Sequence, residues 1–474
     1  MLFHIVFIVS NLGENVIMKL RRFCSLFFIF VLSCSQMLVA TASAIETMEV
    51  DAKAAILVDY DSGTVLFEQN AHQELPPASL TKVMSSLLVL EAVDRGDLRM
   101  DQVITASASA LVGLPWDGSN ADPAIVAGEQ MTVEDLLYCM LVVSANEACN
   151  ILAEAVSGSV SAFVDAMNER AAALGCRNTH FANTNGLTAS AHYTSAYDIW
   201  LITQAAMQYE DFRYICSATW KNIQPTNKCD HVRALHTTNS LLDGWRYAGY
   251  QYPYATGIKT GTTDAAGHCL LASATKGSRT LVSVVLGAET APDDHGGTDI
   301  MSFRETVRLF DWGFENFTTK VVLNEEDLIQ EVPVALSKET NYVVVHPAYT
   351  ATAVLSNDVE PEQLERTVTL YSDTVNAPVI AGDELGAITL SYNGTEYATV
   401  PLLAMNDVTA SRFLTAKYNV EHFFSLKIVK TALLILILLI IAFVAWWKMI
   451  HRQRRYGRAR DRRYRHHSYR GRRF

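Results

Sequence analysis

The sequence predicts an α/β (α+β) domain of helices and antiparallel sheet, then a small all-β domain, then one carboxy-terminal transmembrane helix. Three observations carry this. Residues 45–317 mix helical and strand patterns, residues 318–405 hold short strand-like runs, and residues 431–447 are almost wholly apolar. The stretch from 45 to 430 is too long for one typical core, so two domains are expected.

Residues 1–44 read as a secretory signal, with Met18 as the true start. Lys19, Arg21 and Arg22 precede a mostly apolar stretch from Phe23 to Ala40, and Ala42-Ser43-Ala44 suits cleavage. An uncleaved signal anchor is the alternative. Ala54–Asp59 and Thr64–Gln69, separated by Asp61-Ser62-Gly63, predict a hairpin. Thr132 and Asp135 form a capping-box-like start for a helix through Leu141. A second helix is expected from Glu147 to Val156, and Leu281–Leu286 reads as a largely buried strand.

After Phe317 the texture changes to strands at Val321–Leu323, Val332–Ala335, Tyr342–Val345, Thr367–Tyr371, Ala387–Tyr392 and Glu396–Val400. Pro333 has no N–H to give a ladder, which makes its strand an edge candidate. Asn393-Gly394 is a strong hairpin turn signal, and this reading outweighs the Asn-x-Thr glycosylation sequon that Asn393 begins. Residues 406–430 read as a polar linker. The apolar run 431–447 would span about 25 Å as a helix, with Lys430 and Lys448 free to snorkel. The basic tail 448–474 carries 12 Lys and Arg against one Asp, so it is expected in the cytoplasm and the body outside.

The formal net charge of −12 therefore hides an acidic body, which argues against nucleic acid as its partner. Once a signal is removed six cysteines remain, Cys139, Cys149, Cys176, Cys216, Cys229 and Cys269. Export permits disulfides, but the scattered spacing suits buried thiols at least as well. No Cys-x-x-Cys or His-x-His spacing points to a metal, and no cofactor is expected.

The candidate chemistry lies in three short motifs. Ser79-Leu80-Thr81-Lys82 follows Pro76-Pro77-Ala78, a sequence suited to opening a helix. A serine and a lysine three apart share a helical face, where a neutral amine can take the hydroxyl proton. Ser273-Ala274-Thr275-Lys276 has the same spacing in a strand-like context without that helix start, so the motif alone is weak. Ser144-Ala145-Asn146 falls in the break between the two expected helices. Lys259-Thr260-Gly261 precedes a strand-like stretch, Gly267–Ala274, and offers positive charge, a hydroxyl and room for close approach.

With all three motifs in this order, the chain resembles the serine D-Ala-D-Ala carboxypeptidases among the low-molecular-mass penicillin-binding proteins. The likeness extends to Phe181–Leu187, Thr194–Asp198, Asn239–Leu242, Ala266–Leu270 and Arg304…Trp312-Gly313-Phe314. It implies a penicillin-binding/β-lactamase-like transpeptidase domain with its small β domain and membrane attachment. It also implies stem peptides of peptidoglycan as substrate and β-lactams as covalent ligands. Ser79 would be the nucleophile, Lys82 the base and Ser144 a proton relay. Asn146 would bind the peptide, and Lys259 and Thr260 its carboxylate, with Gly261 beside them and Arg304 assisting. The N–H groups of Ser79 and Thr262 would form the oxyanion hole. His192, His268 and His295 occupy no motif position and are taken as ordinary polar residues.

Three rivals share these motifs. A class A β-lactamase needs a deacylating Glu, and no Glu-x-x-Leu-Asn lies between Asn146 and Lys259. A transpeptidase would replace water by an amine acceptor. A catalytically inactive wall receptor would keep the fold without turnover, against which the intact motifs argue.

Overall fold

The computed structural model describes residues 48–116, 118–293 and 297–465. The signal segment and His295 lie outside them. The chain divides into two compact units. One runs to Lys320 and takes in Val354–Glu360; the other comprises Val321–Ala353 and the residues from Pro361 onward. The division falls inside a continuous strand, Phe317–Leu323.

The first unit is built on a five-stranded antiparallel sheet of β1 (Ala54–Asp59), β2 (Val65–Gln69), β3 (Ala255–Thr263), β4 (Gly267–Lys276) and β5 (Arg279–Ala288). The spatial order is β2-β1-β5-β4-β3. The first hairpin closes where Asp59 Oδ1 accepts from the Ser62 N–H at 3.1 Å, a local turn that side-chain chemistry dictates. Alternate residues of β1 enter different cores: Ala54, Ile56 and Val58 pack on one face, Ala55 and Leu57 on the other. Burial on both faces explains why β1 and β5 read as continuous apolar runs.

One face is covered by α1 (Thr81–Asp94), α2 (Val133–Leu141), α3 (Asn146–Ser157), α4 (Val160–Ala173), α5 (Ala196–Ala206) and α6 (Glu210–Cys216). The other face carries α7 (Met301–Asn316), whose Phe303, Leu309 and Phe310 enter the second core. Most of α1 is buried all round, as suits a helix at the centre of a domain. Thr132 caps α2 by accepting from the Asp135 N–H at 3.0 Å, and Gly158 at φ 77° ends α3.

The second unit holds a mostly antiparallel sheet of β6 (Gln330–Ala335), β7 (Tyr342–Pro347), β8 (Glu365–Leu370), β9 (Glu384–Tyr392) and β10 (Thr395–Ala404). Its order is β8-β9-β10-β7-β6, extended beyond β6 by the two-residue strand Val375–Asn376. That short strand pairs only with Val334 and Ala335, so Pro333 ladders on one side alone, opposite Tyr342. The stretch read as a polar linker instead contains a helix, α8 (Arg412–Ser425), leading into α9 (Lys427–Arg465). No Gly or Pro occurs between Pro401 and Gly457, so nothing interrupts helical propagation there. Within α9, Lys427–Arg452 is long and apolar enough to cross a membrane, with a mean hydropathy of 3.0.

Candidate active site

Ser79 sits in a single 3₁₀ turn, Ala78–Leu80, that runs directly into α1. Lys82 follows one turn later, and its Nζ lies 3.0 Å from Ser79 Oγ. The same amine reaches Asn146 Oδ1 at 2.8 Å and the Asn185 carbonyl at 2.5 Å. Lys82 is fully buried, and that burial lowers its amine below the usual lysine value; Cys149 and Glu147 nearby pull it back up.

Ser144 lies between α2 and α3 at φ 67°, an unusual conformation for a residue with a Cβ. Its buried Oγ has no hydrogen-bond partner among the described residues. Asn146 opens α3, and its own N–H donates to the Ser119 carbonyl at 2.8 Å.

Lys259, Thr260, Gly261 and Thr262 lie on β3, the sheet edge that packs against the Ser79 turn. An added Cβ at Gly261 would stand 3.0 Å from the Ser79 nitrogen, so any larger residue would push the strand and the turn apart by a few tenths of an ångström. Lys259 is buried, and burial followed by the charge of Lys82 lowers its amine well below the usual value. Burial is thus the chief cause at both lysines, and the charge of the other lysine adds to it at Lys259 alone. Thr260 Oγ1 lies 2.6 Å from Thr238 Oγ1.

These residues border one cavity of about 170 Å³, with Ser79, Ser144, Thr260, Gly261 and Thr262 in its wall. A larger cavity of about 530 Å³, between α6 and the ends of β3 and β4, contains none of the motif residues except Ser273 and Thr275. Convergence of nucleophile, amine and hydroxyls selects the smaller one. Ser273 itself bonds Thr256 Oγ1 at 2.8 Å.

The structure does not bring Arg304 into this group. Arg304 is exposed on α7, and its guanidinium is committed to Asp299 Oδ1 at 2.8 and 2.9 Å and to the Gly249 carbonyl at 3.3 Å. The arginine in the cavity wall is Arg246. No motif marks Arg246; only the length of the loop before β3, rich in aromatic residues, hints at a built feature.

Reading the motifs also gave no role to the segment 183–187. Asn183 Oδ1 accepts from the Gly186 N–H at 2.7 Å and folds the segment into a tight loop. A Cβ at Gly186, where φ is +90°, would fall 1.8 Å from the Ala78 oxygen. The loop therefore clamps the Ser79 turn while giving the Asn185 carbonyl to Lys82. His192 braces the same turn from behind. Its Nδ1 accepts from the Ala182 N–H at 2.9 Å, which leaves the proton on Nε2, 2.8 Å from Thr81 Oγ1. His268 borders the cavity, 3.4 Å from Thr262 Oγ1. All six cysteines of the body are free thiols, and among the described residues no group of three or more His, Cys, Asp or Glu could hold a metal.

Residues 39–290 match the family described as D-alanyl-D-alanine carboxypeptidase, and 317–410 match the penicillin-binding protein 5 C-terminal domain. The D-alanyl-D-alanine carboxypeptidase DacF of Bacillus subtilis is 31% identical over 77% of this chain and 88% of its own. DacC of Escherichia coli is 32% identical over 79% of this chain and 88% of its own. The crystal structure of penicillin binding protein 5 from Haemophilus influenzae superposes with a TM-score of 0.61 at 29% identity, covering 77% of this chain and all of that one. With that family match over more than half of the chain and relatives above 30% identity over most of it, the chain belongs to the D-alanyl-D-alanine carboxypeptidase family, peptidase S11.

Proposed function

We propose that the chain is a serine D-Ala-D-Ala carboxypeptidase that removes the terminal D-Ala from peptidoglycan stem peptides and is acylated by β-lactams at the same serine. The observation that carries this reading is the 3.0 Å approach of the Lys82 amine to Ser79 Oγ at the edge of a cavity that Ser144 and Thr260 also line.

Lys82 has three polar neighbours. The Asn185 carbonyl can only accept, and Asn146 Oδ1 accepts too. A neutral amine supplies two N–H donors to these and one lone pair toward the Ser79 hydroxyl, the arrangement a general base needs. Burial of Lys82 favours that neutral form. Ser79 Oγ attacks the carbonyl of the penultimate D-Ala as its proton passes to Lys82. The oxyanion is held by the N–H groups of Ser79 and Thr262, each donor contributing on the order of 3 kcal/mol. The proton then moves through Ser144 to the leaving amine, the C–N bond breaks and D-Ala departs. Water attacks the ester, loses a proton to Lys82, and Ser79 regains its hydrogen. Lys259 and the Thr260 hydroxyl face the substrate carboxylate, whose charge raises the depressed Lys259 amine back toward its protonated form.

The membrane-competent segment of α9 and the basic residues from Lys448 onward support attachment to the cell membrane, with the catalytic unit outside and the tail in the cytoplasm. The deciding assay is D-Ala release from a pentapeptide ending in D-Ala-D-Ala, alongside labelling by fluorescent penicillin. Wild type should do both, and Ser79→Ala neither. A label that persists in Ser79→Ala would place the nucleophile elsewhere. Labelling without release favours the inactive receptor, rapid penicillin hydrolysis a β-lactamase, and incorporation of an added amine a transpeptidase.

A further inference from the structure

We propose that Arg246, presented by a braced loop, reads the carboxylate at the end of the peptide substrate, where the family resemblance had Arg304 assisting Lys259 and Thr260. This rests on the carboxypeptidase reading and names the charge that gives the site its preference for a free chain end.

Four observations converge. Arg246 borders the same cavity as Ser79, Thr260 and Thr262. Among the described residues no carboxylate pairs with its guanidinium, which sits 5.7 Å from the Tyr247 ring. No acidic residue appears in the described wall of that cavity, so a bound anion meets no competing negative charge. Lastly, Lys259 and Lys82 are both buried and burial lowers both amines, whereas the Arg246 guanidinium is exposed. Arg246 is therefore the standing positive charge of the cavity, and its charge already bears on Lys259.

The loop that carries it is held at both ends. The Tyr252 N–H donates to the Leu241 carbonyl at 2.9 Å and closes its base. Asp243 Oδ1 accepts from the Trp245 N–H at 3.0 Å, and the Trp245 indole stacks on His236 with ring centroids 4.2 Å apart. At the far end Arg304 donates to the Gly249 carbonyl and lies over the Tyr250 ring, while Tyr250 donates to Asp299 at 3.1 Å. Arg304 thus acts through the loop as a positioning residue. Inside the cavity, the 2.6 Å contact between Thr238 and Thr260 uses one hydroxyl proton and leaves the other free for the carboxylate. A fixed guanidinium beside a hydroxyl donor suits a planar carboxylate, and such charge-assisted bonds are the strong ones.

The test uses the full chain in detergent with two peptides, diacetyl-L-Lys-D-Ala-D-Ala and its carboxy-terminal amide. Arg246→Gln should lower kcat/KM for the acid by about 10- to 100-fold and leave the amide within about two-fold, abolishing the preference. Arg246→Lys should recover part of the loss, and thermal melting of each variant checks that the fold is intact. Acylation by benzylpenicillin against its methyl ester gives a second measure. There Arg246→Gln should slow the acid selectively, which decides the matter even if neither peptide is turned over. Equal losses on acid and uncharged substrates, or a selective loss in Arg304→Gln with none in Arg246→Gln, would overturn the assignment.

Discussion

His192 holds its Nε2 2.8 Å from Thr81 Oγ1, and Thr81 in turn donates to the Ala78 carbonyl at 2.9 Å, so the imidazole supports the turn bearing Ser79. Ala78 itself is at φ 47°, a conformation that needs outside support. Burial, with smaller contributions from His180 and Lys82, lowers the His192 pKa from 6.5 to about 4. A folded-state value below the unfolded one means that the unfolded chain binds the proton first. Stability contributed by neutral His192 is therefore complete above 6.5, declines as pH falls through that value, and is fully lost near 4, a change of at most about 3 kcal/mol. Thermal melting of wild type and His192→Gln at pH 7.5, 5.5 and 4.5 should show the wild type losing more than the variant over this window. Parallel curves would remove the imidazole from the account.

Lys82 sets the pH dependence of acylation. Its amine is lowered from the ordinary 10.5 by burial, and the reactive form is the neutral one. The rate of penicillin labelling should rise with pH through the depressed Lys82 value and level off above it, the acid limb lying below 10.5. Lys82→Gln, which has no basic nitrogen, should flatten that limb and lower the rate by about 10²- to 10⁴-fold. Stopped-flow labelling from pH 5 to 10 measures both.

The two glycines that meet the Ser79 turn should differ in their tolerance of a methyl group. At Gly261 the added carbon stands 3.0 Å from the Ser79 nitrogen, so a shift of a few tenths of an ångström relieves it. At Gly186 it would sit 1.8 Å from the Ala78 oxygen and also occupy a left-handed backbone. Gly261→Ala should cost about 1–3 kcal/mol and slow labelling, while Gly186→Ala should cost more and remove labelling nearly entirely. Melting temperature and label yield, read together, rank the pair.

Attachment through α9 is testable by truncation. A chain ending after Ser425 lacks the apolar segment Lys427–Arg452 and should appear in the soluble fraction after alkaline extraction, still labelled by fluorescent penicillin. The full chain should remain with the membrane. A full chain released by carbonate would remove the spanning helix from the proposal.

Local patterns gave away most of the scaffold. The hairpin at Ala54–Gln69, the capped helix at Thr132–Leu141 and the Asn393-Gly394 turn rest on interactions between residues close in sequence, so their spacing reveals them. The helix Arg412–Ser425 was missed because polar composition suggested a linker, although no Gly or Pro breaks the segment.

What the sequence determined by itself was the set of short-range chemical units: a serine and a lysine one helical turn apart, a Ser-Ala-Asn break between helices, and a Lys-Thr-Gly strand before a basic-flanked apolar helix. Each depends on helical or strand periodicity, which fixes which neighbours share a face. Only the tertiary structure decided that Asn185 gives its carbonyl to Lys82, that burial rather than a second charge is the chief cause lowering Lys82, and that Arg246 rather than Arg304 faces the cavity. Those outcomes turn on groups separated by tens to hundreds of residues, whose approach is set by how the sheet edge, the loop 183–187 and the loop before β3 close around one small volume.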